Sequence, residues 1–196
     1  DTPMKPRSPY AISKLAAFWT AKDYREAYGM FIANGIMFNH ESEVRGPEFV
    51  TRKISLGVAE IYRGHMNPIV LGNLDARKDW GYAGDYVRAM WLMLRADKPD
   101  DFVIGTGEQH TVREFVTEAF DVMIQMAKKK HVFEWRGDEG YLDDRLVVTT
   151  SKKFYRPLEA DNYMADYRKA EKILGWKPWV RFKDLVRIMV ENDIMR

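Results

Sequence analysis

The chain has 196 residues, 46% apolar and 31% charged, with 31 Lys and Arg against 29 Asp and Glu. A formal charge of +2 lacks the basic excess of a nucleic-acid binder. Cysteine is absent, which excludes disulfides, zinc–cysteine sites and a thiol nucleophile. It fits a reducing, cytoplasmic setting, and no apolar run approaches the ~20 residues of a membrane span.

Pro3, Pro6 and Pro9 exclude a helix at the start. That segment has no signal-peptide core and does not open with Met, so a fragment or processed piece is expected. From Tyr10 to about Tyr28 an Ala-rich run predicts a helix, entered through Ser8-Pro9 and stopped at Gly29. Residues 30–38 are short, continuous and apolar, which predicts a buried strand of the parallel-sheet kind. Residues 39–46 are polar and predict a loop. Val50, Ile54, Val58 and Ile61 recur at helical spacing and predict a helix from Phe49 to Tyr62.

Ile69–Gly72 predicts a short strand, Tyr82–Arg95 a helix that is apolar around Val87, Met90, Trp91 and Leu94, and Phe102–Ile104 another strand. Thr111 with Glu114 three residues on reads as a capping box. Lys128–Lys130 reads as a solvated helix end. Strands at 132–135 and 146–149 flank an acidic loop, 137–144, whose spacing does not match an EF-hand. A helix near Tyr167–Leu174 and a last one from Phe182 to about Asp193 complete an α/β alternation.

The first chemical candidate is Tyr10 with Lys14. Residues i and i+4 share a helix face, and an ammonium beside a phenol favours the phenolate. Such a tyrosine can exchange a proton with a carbinol during hydride transfer. Alone, Y-x-x-x-K is equally an ordinary half-exposed pair.

The text around that pair, Pro6–Lys14, resembles the active-site helix of the extended short-chain dehydrogenase/reductases. Asn34–Ser42, Phe49–Ile54, Leu71–Ala76, Asp79-Trp80-Gly81, Asp101–Gln109, Tyr155–Glu159 and Leu174–Pro178 follow in order. Together they resemble the GDP-mannose 4,6-dehydratase family from Pro6 to about Asp193. The fold so implied is the end of a Rossmann-type sheet plus the smaller α/β substrate domain. Residues 1–46 would be the remnant of the NADP-binding part and 47–196 the nucleotide-sugar part, with 74–95 packing back on the former.

The resemblance implies roles. Tyr10 would be the catalytic acid/base for the sugar 4-hydroxyl, and Lys14 would tune it and hold the NADP ribose. His40 and Arg45 match positions that contact NADP. Asn39, Val50, Lys53, Leu71, Gly72, Asn73, Lys78, Arg156 and Glu159 match substrate-binding positions. Lys53 and Arg156 offer cations to a diphosphate, Glu159 can accept from ribose hydroxyls, and Gly72 lets backbone approach a base. Each has a plainer reading: Lys53 as a solvated helix residue, Arg156 in a surface ion pair, Glu159 as a cap, His40 as a loop histidine. The implied reaction is conversion of GDP-mannose to GDP-4-keto-6-deoxymannose by internal NADP-mediated redox and loss of water, a lyase. The implied partners are GDP-mannose and either a second copy or a chain carrying the dinucleotide-binding half.

The sequence departs from the family pattern. No G-x-G-x-x-G is present, and its nearest echo, Gly105-Thr106-Gly107, is followed by His110 where the third glycine belongs. Lys78 stands where the family has Arg, Glu43-Val44 where it has Pro-Arg, Tyr82 for a His and Gly84 for a basic residue. A non-catalytic remnant that binds a nucleotide-sugar or pairs with another subunit is therefore the alternative. On either reading Leu15, Phe18 and Trp19 are expected to be exposed or covered by another chain.

Overall fold

The structure is a computed structural model and describes residues 2–155 and 163–196. In chain order the elements are α1 (Pro9–Tyr28), β1 (Asn34–Met37), β2 (Asn39–Glu41), α2 (Val50–Tyr62), β3 (Ile69–Leu71), β4 (Arg77–Lys78) and β5 (Trp80–Tyr82). Next come α3 (Ala83–Met93), β6 (Asp101–Ile104), β7 (His110–Thr111), α4 (Val112–Ala127), β8 (Phe133–Arg136), β9 (Glu139–Leu142) and β10 (Arg145–Thr150). A 3-10 turn at Lys152–Phe154, then α5 (Arg168–Leu174) and α6 (Phe182–Met195) follow.

Local chemistry sets the helix ends. The Ser8 side chain accepts from the Ala11 amide, Pro9 occupies the first turn, and Gly29 closes α1 at φ 64°, a conformation that costs glycine nothing. At α4 the Thr111 hydroxyl accepts from the Glu114 amide while the Glu114 carboxylate accepts from the Thr111 amide.

Among the described residues the strands form four small sheets. β1 pairs in parallel with β6, and β2 with β5. β4 pairs antiparallel with β7. The largest sheet has the order β3-β10-β9-β8, with β3 and β10 parallel and the rest antiparallel. The Asp143-Asp144 turn between β9 and β10 has positive φ at both residues, as a two-residue hairpin requires.

Two cores result. In the larger, Ile54 and Val58 of α2, Phe115 and Phe120 of α4, and Leu185 and Met189 of α6 are fully buried with Val148 of β10. Across it, Arg52 donates to Asp193 at 2.5 and 2.6 Å, a buried pair tying α2 to α6. In the smaller, Tyr86, Ala89, Met93, Phe102, Ile104 and Trp176 pack α3 and α5 against β6.

Four expectations need correction. Residues 39–41 form β2 rather than loop: its polar Asn-His-Glu text gives no strand pattern, yet pairing with β5 satisfies its backbone. The acidic segment 137–144 contains β9, the middle of a hairpin pair. The stretch 30–38 holds a strand only over Asn34–Met37, and not a buried one, since Gly35 and Ile36 on it are exposed. On α3 the apolar run lies outward. Val87, Met90, Trp91 and Leu94 are exposed, while Tyr86, Ala89 and Met93 are buried.

Candidate active site

Tyr10 and Lys14 stand on one face of the first turns of α1, with the Lys14 Nζ 5.5 Å from the Tyr10 ring centroid. Tyr10 is 71% exposed. No residue of α1 is buried; Leu15 and Phe18 are half-buried and Trp19 is 48% exposed. The helix is held from its other end. Arg25 donates to both Asp101 oxygens, at 2.8 and 3.1 Å, and to the Ile32 carbonyl at 3.1 Å. Asn34 Nδ2 donates to the same carboxylate at 2.9 Å. Burial pushes Asp101 up, but the hydrogen bonds from Arg25 and Asn34 outweigh it and hold the carboxyl below its ordinary range.

His40 and Arg45 lie past β1. His40 packs its ring on Tyr86, centroids 4.9 Å apart, with Nδ1 2.9 Å from the Phe38 carbonyl oxygen. Arg45 is engaged on two sides. Its Nε is 3.2 Å from the buried Glu41 carboxylate, and its guanidinium lies 3.5 Å over the Phe49 ring. Burial pushes the Glu41 carboxyl up, opposed by the Thr51 hydroxyl, which donates to it at 2.6 Å, and by Arg45.

Three of the departures from the family pattern form one unit beside this loop. Burial, with the Glu43 carboxylate nearby, pushes the Tyr82 phenol up, and the Tyr82 ring lies over residue 84. A Cβ there would sit 2.6 Å from Tyr82 Cε1. Gly84 is thus the residue that leaves room for the Tyr82 ring on the side of Glu43.

At the C-terminal end of β1 a cleft of about 810 Å³ opens, lined by Met37, Phe38, Asn39, Arg77, Lys78 and Met164 among others, with residues 2–5 along its rim. Its frame rests on Asp79, fully buried between Lys78 and Trp80. The Asp79 carboxylate accepts from the Thr106 amide (2.8 Å) and hydroxyl (2.6 Å), the Gly107 amide (3.0 Å) and the Ala165 amide (3.1 Å). One carboxylate thus fastens the 105–107 turn and the 165 segment to the β4–β5 link. Sequence reasoning missed this role; Asp79-Trp80-Gly81 entered it only as one block of the family pattern.

The remaining predicted residues gather at the end of β3. Lys53 Nζ lies 3.8 Å over the Phe154 ring, and burial pushes its ammonium down. Gly72 does allow a close approach, but to protein: a Cβ there would lie 2.5 Å from the Phe154 carbonyl oxygen. Leu71 is buried, which leaves only its backbone to meet a ligand. Asn73 accepts the Asp75 amide on Oδ1 at 3.0 Å. Val50 packs against the larger core. Arg156 and Glu159 lie outside the described residues. Asn39 and Lys78 therefore share the cleft, whereas Lys53 and Gly72 meet around Phe154. A separate cavity of about 580 Å³, lined by Tyr62, Lys129, His131 and Arg145 among others, contains none of the predicted residues.

The chain's fit to a dinucleotide is one-sided. Tyr10 and Lys14, a phenol and an ammonium on one exposed face, suit its ribose side. The Gly105–Gly107 turn does not suit a pyrophosphate. Its Thr106 and Gly107 amides already donate to Asp79, and a Cβ on Gly105 would meet Ala165 Cβ at 2.3 Å. Among the described residues no group of His, Asp or Glu is placed to hold a metal ion. No described helix is long and apolar enough to cross a membrane.

Known proteins agree with this arrangement. The dTDP-glucose 4,6-dehydratase of Bacillus anthracis, solved with NAD, superposes with a TM-score of 0.73 at 21% identity, over 98% of this chain and 54% of that one. RMD from Pseudomonas aeruginosa, solved with NADPH, gives 0.77 at 19% identity, over 98% and 57%. At such identities the likeness concerns the fold. In sequence, the chain is 51% identical over 197 residues to the GDP-mannose 4,6 dehydratase of Cricetulus griseus and 48% over 202 residues to that of Dictyostelium discoideum. It covers 98% of itself in both alignments but 52% and 54% of those proteins, so it spans about half the length of the curated relatives it matches. The GDP-mannose 4,6 dehydratase profile matches residues 1–189, and with that match across nearly its whole length the chain belongs to the GDP-mannose 4,6-dehydratase family.

Proposed function

We propose that this chain is the nucleotide-sugar-binding part of a cytoplasmic GDP-mannose 4,6-dehydratase. Joined to a dinucleotide-binding half, it converts GDP-mannose to GDP-4-keto-6-deoxymannose, a lyase reaction. The observation that carries the reading is the Tyr10–Lys14 pair, presented on one face of a helix that flanks β1, the strand whose C-terminal end opens into the cleft. Residues 1–46, with 74–95 packed back on them, belong in this reading to the dinucleotide side, and 47–196 to the sugar side.

Tyr10 takes the 4-hydroxyl proton of the bound sugar as the C4 carbonyl forms; the proton that goes back is added at C5, not at the 4-oxygen, so the ketone is kept. Lys14 supplies the positive charge beside the phenol and a donor for a ribose hydroxyl. NADP, when bound, supplies a hydride acceptor that gives the hydride back, so the net change is loss of water. His40, and Arg45 once released from Glu41, border the cofactor. Asn39, Lys78, Lys53, Arg156 and Glu159 orient the nucleotide-sugar, with Val50 and the Leu71–Asn73 backbone alongside. The partner is a chain or segment bringing parallel sheet: among the described residues β1 is paired on one edge only, and Ile36 on it is 36% exposed. An exposed edge of this kind is a template for a further strand.

The absence of a pyrophosphate cradle favours a second reading, in which the chain binds GDP-sugars without turnover. One experiment separates the two. The chain is co-purified with a dinucleotide-binding half taken from a relative, and loss of GDP-mannose is followed with NADP present. Turnover that Tyr10→Phe abolishes, with GDP binding kept, supports the enzyme. GDP binding with no turnover in the complex supports the binder.

A further inference from the structure

We propose that Arg77, one residue before the position the family pattern assigns to phosphate, supplies the guanidinium that grips the diphosphate, with Lys78 as a second cation beside it. The inference rests on the nucleotide-sugar reading of the cleft and deepens it by naming the residue that reads the phosphates.

Strand alternation normally sends neighbouring side chains to opposite faces. β4 is only two residues long, paired to β7 through Arg77↔Thr111 and Lys78↔His110. It sits at the mouth of the cleft, and both of its residues line it. Neither side chain makes an ion pair or hydrogen bond among the described residues, whereas most of the described arginines do. Arg25, Arg52, Arg113 and Arg136 all have carboxylates. Among the described residues the acid lining the cleft does not compete: Asp166 is gripped by Arg168 at 2.8 Å through Nε and 2.5 Å through Nη2, which holds its carboxyl at about 2. Arg77 and Lys78 thus put two adjacent positive charges at the cleft mouth, with Lys5 on its rim, and no described carboxylate pairs with Arg77 or Lys78. A guanidinium forks onto two phosphate oxygens, while an ammonium acts as a point charge. The pair suits adjacent phosphates better than a lone carboxylate or a neutral sugar.

The test is calorimetric titration of the chain with GDP, inorganic pyrophosphate and guanosine, using wild type, Arg77→Ala, Arg77→Lys and Lys78→Ala. Arg77 is exposed, so its variants keep the fold, which circular dichroism checks. Arg77→Ala is expected to weaken GDP and pyrophosphate at least tenfold and leave guanosine unchanged. Arg77→Lys should recover only part of the loss, because the fork is gone. Wild-type GDP binding that Arg77→Ala leaves intact overturns the role of Arg77 while the nucleotide-sugar reading stands. Failure of the wild type to bind GDP overturns both.

Discussion

Asp79 offers the sharpest test of how the site is built. Its two oxygens receive four donors: Oδ1 takes the Thr106 amide and hydroxyl, Oδ2 the Gly107 and Ala165 amides. Asp79→Asn keeps one oxygen. The least costly rotamer leaves it on Gly107 and Ala165 and turns the NH₂ toward Thr106. The Thr106 hydroxyl can adapt, since the Glu108 carbonyl lies 3.3 Å away and the hydroxyl oxygen can accept from the new NH₂. The Thr106 amide cannot adapt and is stranded. A buried unmade hydrogen bond costs about 1–3 kcal/mol, so Asp79→Asn should lose about that much. Asp79→Ala strands three amides and should cost at least twice as much, a large share of the ~5–15 kcal/mol available to a domain. Urea unfolding followed by fluorescence of the buried Trp80 and Trp176 measures both variants. If the two lose equal amounts, each under ~1 kcal/mol, Asp79 does not fasten the turn and the account is wrong.

Two other perturbations probe the elements around the site. Gly84→Ala puts a Cβ 2.6 Å from Tyr82 Cε1. It should displace the ring from Glu43 at a cost of about 1 kcal/mol; in a double-mutant cycle with Tyr82→Ala the losses should fall short of additive, and additive losses would mean the two residues are independent. Arg25→Ala should free α1, read as about a tenfold drop in amide exchange protection along the helix at pH 7. Because the folded carboxyl of Asp101 lies below its ordinary 3.8, its contribution is complete above that value and lost as pH falls through the folded one. Wild-type protection of α1 should therefore fall in acid while the variant's changes little, and equal protection at pH 7 would sink the idea.

The elements that sequence reasoning read well were those whose signal is local. The Ser8-Pro9 entry to α1, the Gly29 stop, the Thr111–Glu114 box and the period of Val50–Ile61 all act within a few residues. What escaped depends on partners far along the chain. β2 is a strand because β5 lies beside it, some 40 residues on, and nothing in Asn-His-Glu announces that. On α3 the sequence marks the apolar residues but not the side they take. Tyr86 and Met93 find Phe102 and Trp176, and Val87, Met90, Trp91 and Leu94 are left outward. The site followed the same rule. Tyr10 and Lys14 were legible as a pair at fixed spacing and Lys78 as a cation in a motif. Asp79 was not, because its partners Thr106, Gly107 and Ala165 come together only in three dimensions.

The two cores differ in how completely they are closed, and that difference bears on the chemistry. Around the larger one, three helices and a four-stranded sheet cover each other, and the Arg52–Asp193 pair clamps them. The smaller one rests on β1 and β6, a two-stranded ladder with one edge of β1 unpaired among the described residues, and such a pair alone is marginal in water. The helices near it turn apolar surface outward: Ile12, Trp19 and Tyr24 on α1, Trp91 and Leu94 on α3. On the proposed reading this is the surface that a dinucleotide-binding half covers. Tyr10 and Lys14 stand on the less closed side, on a helix with no buried residue, fixed mainly through Arg25 at its far end. On that reading, a half that covers α1 and extends β1 adds stability where Tyr10 and Lys14 sit. Since a partner that binds only the ordered form stabilises it by mass action, the proposed reading makes assembly and ordering of α1 one equilibrium.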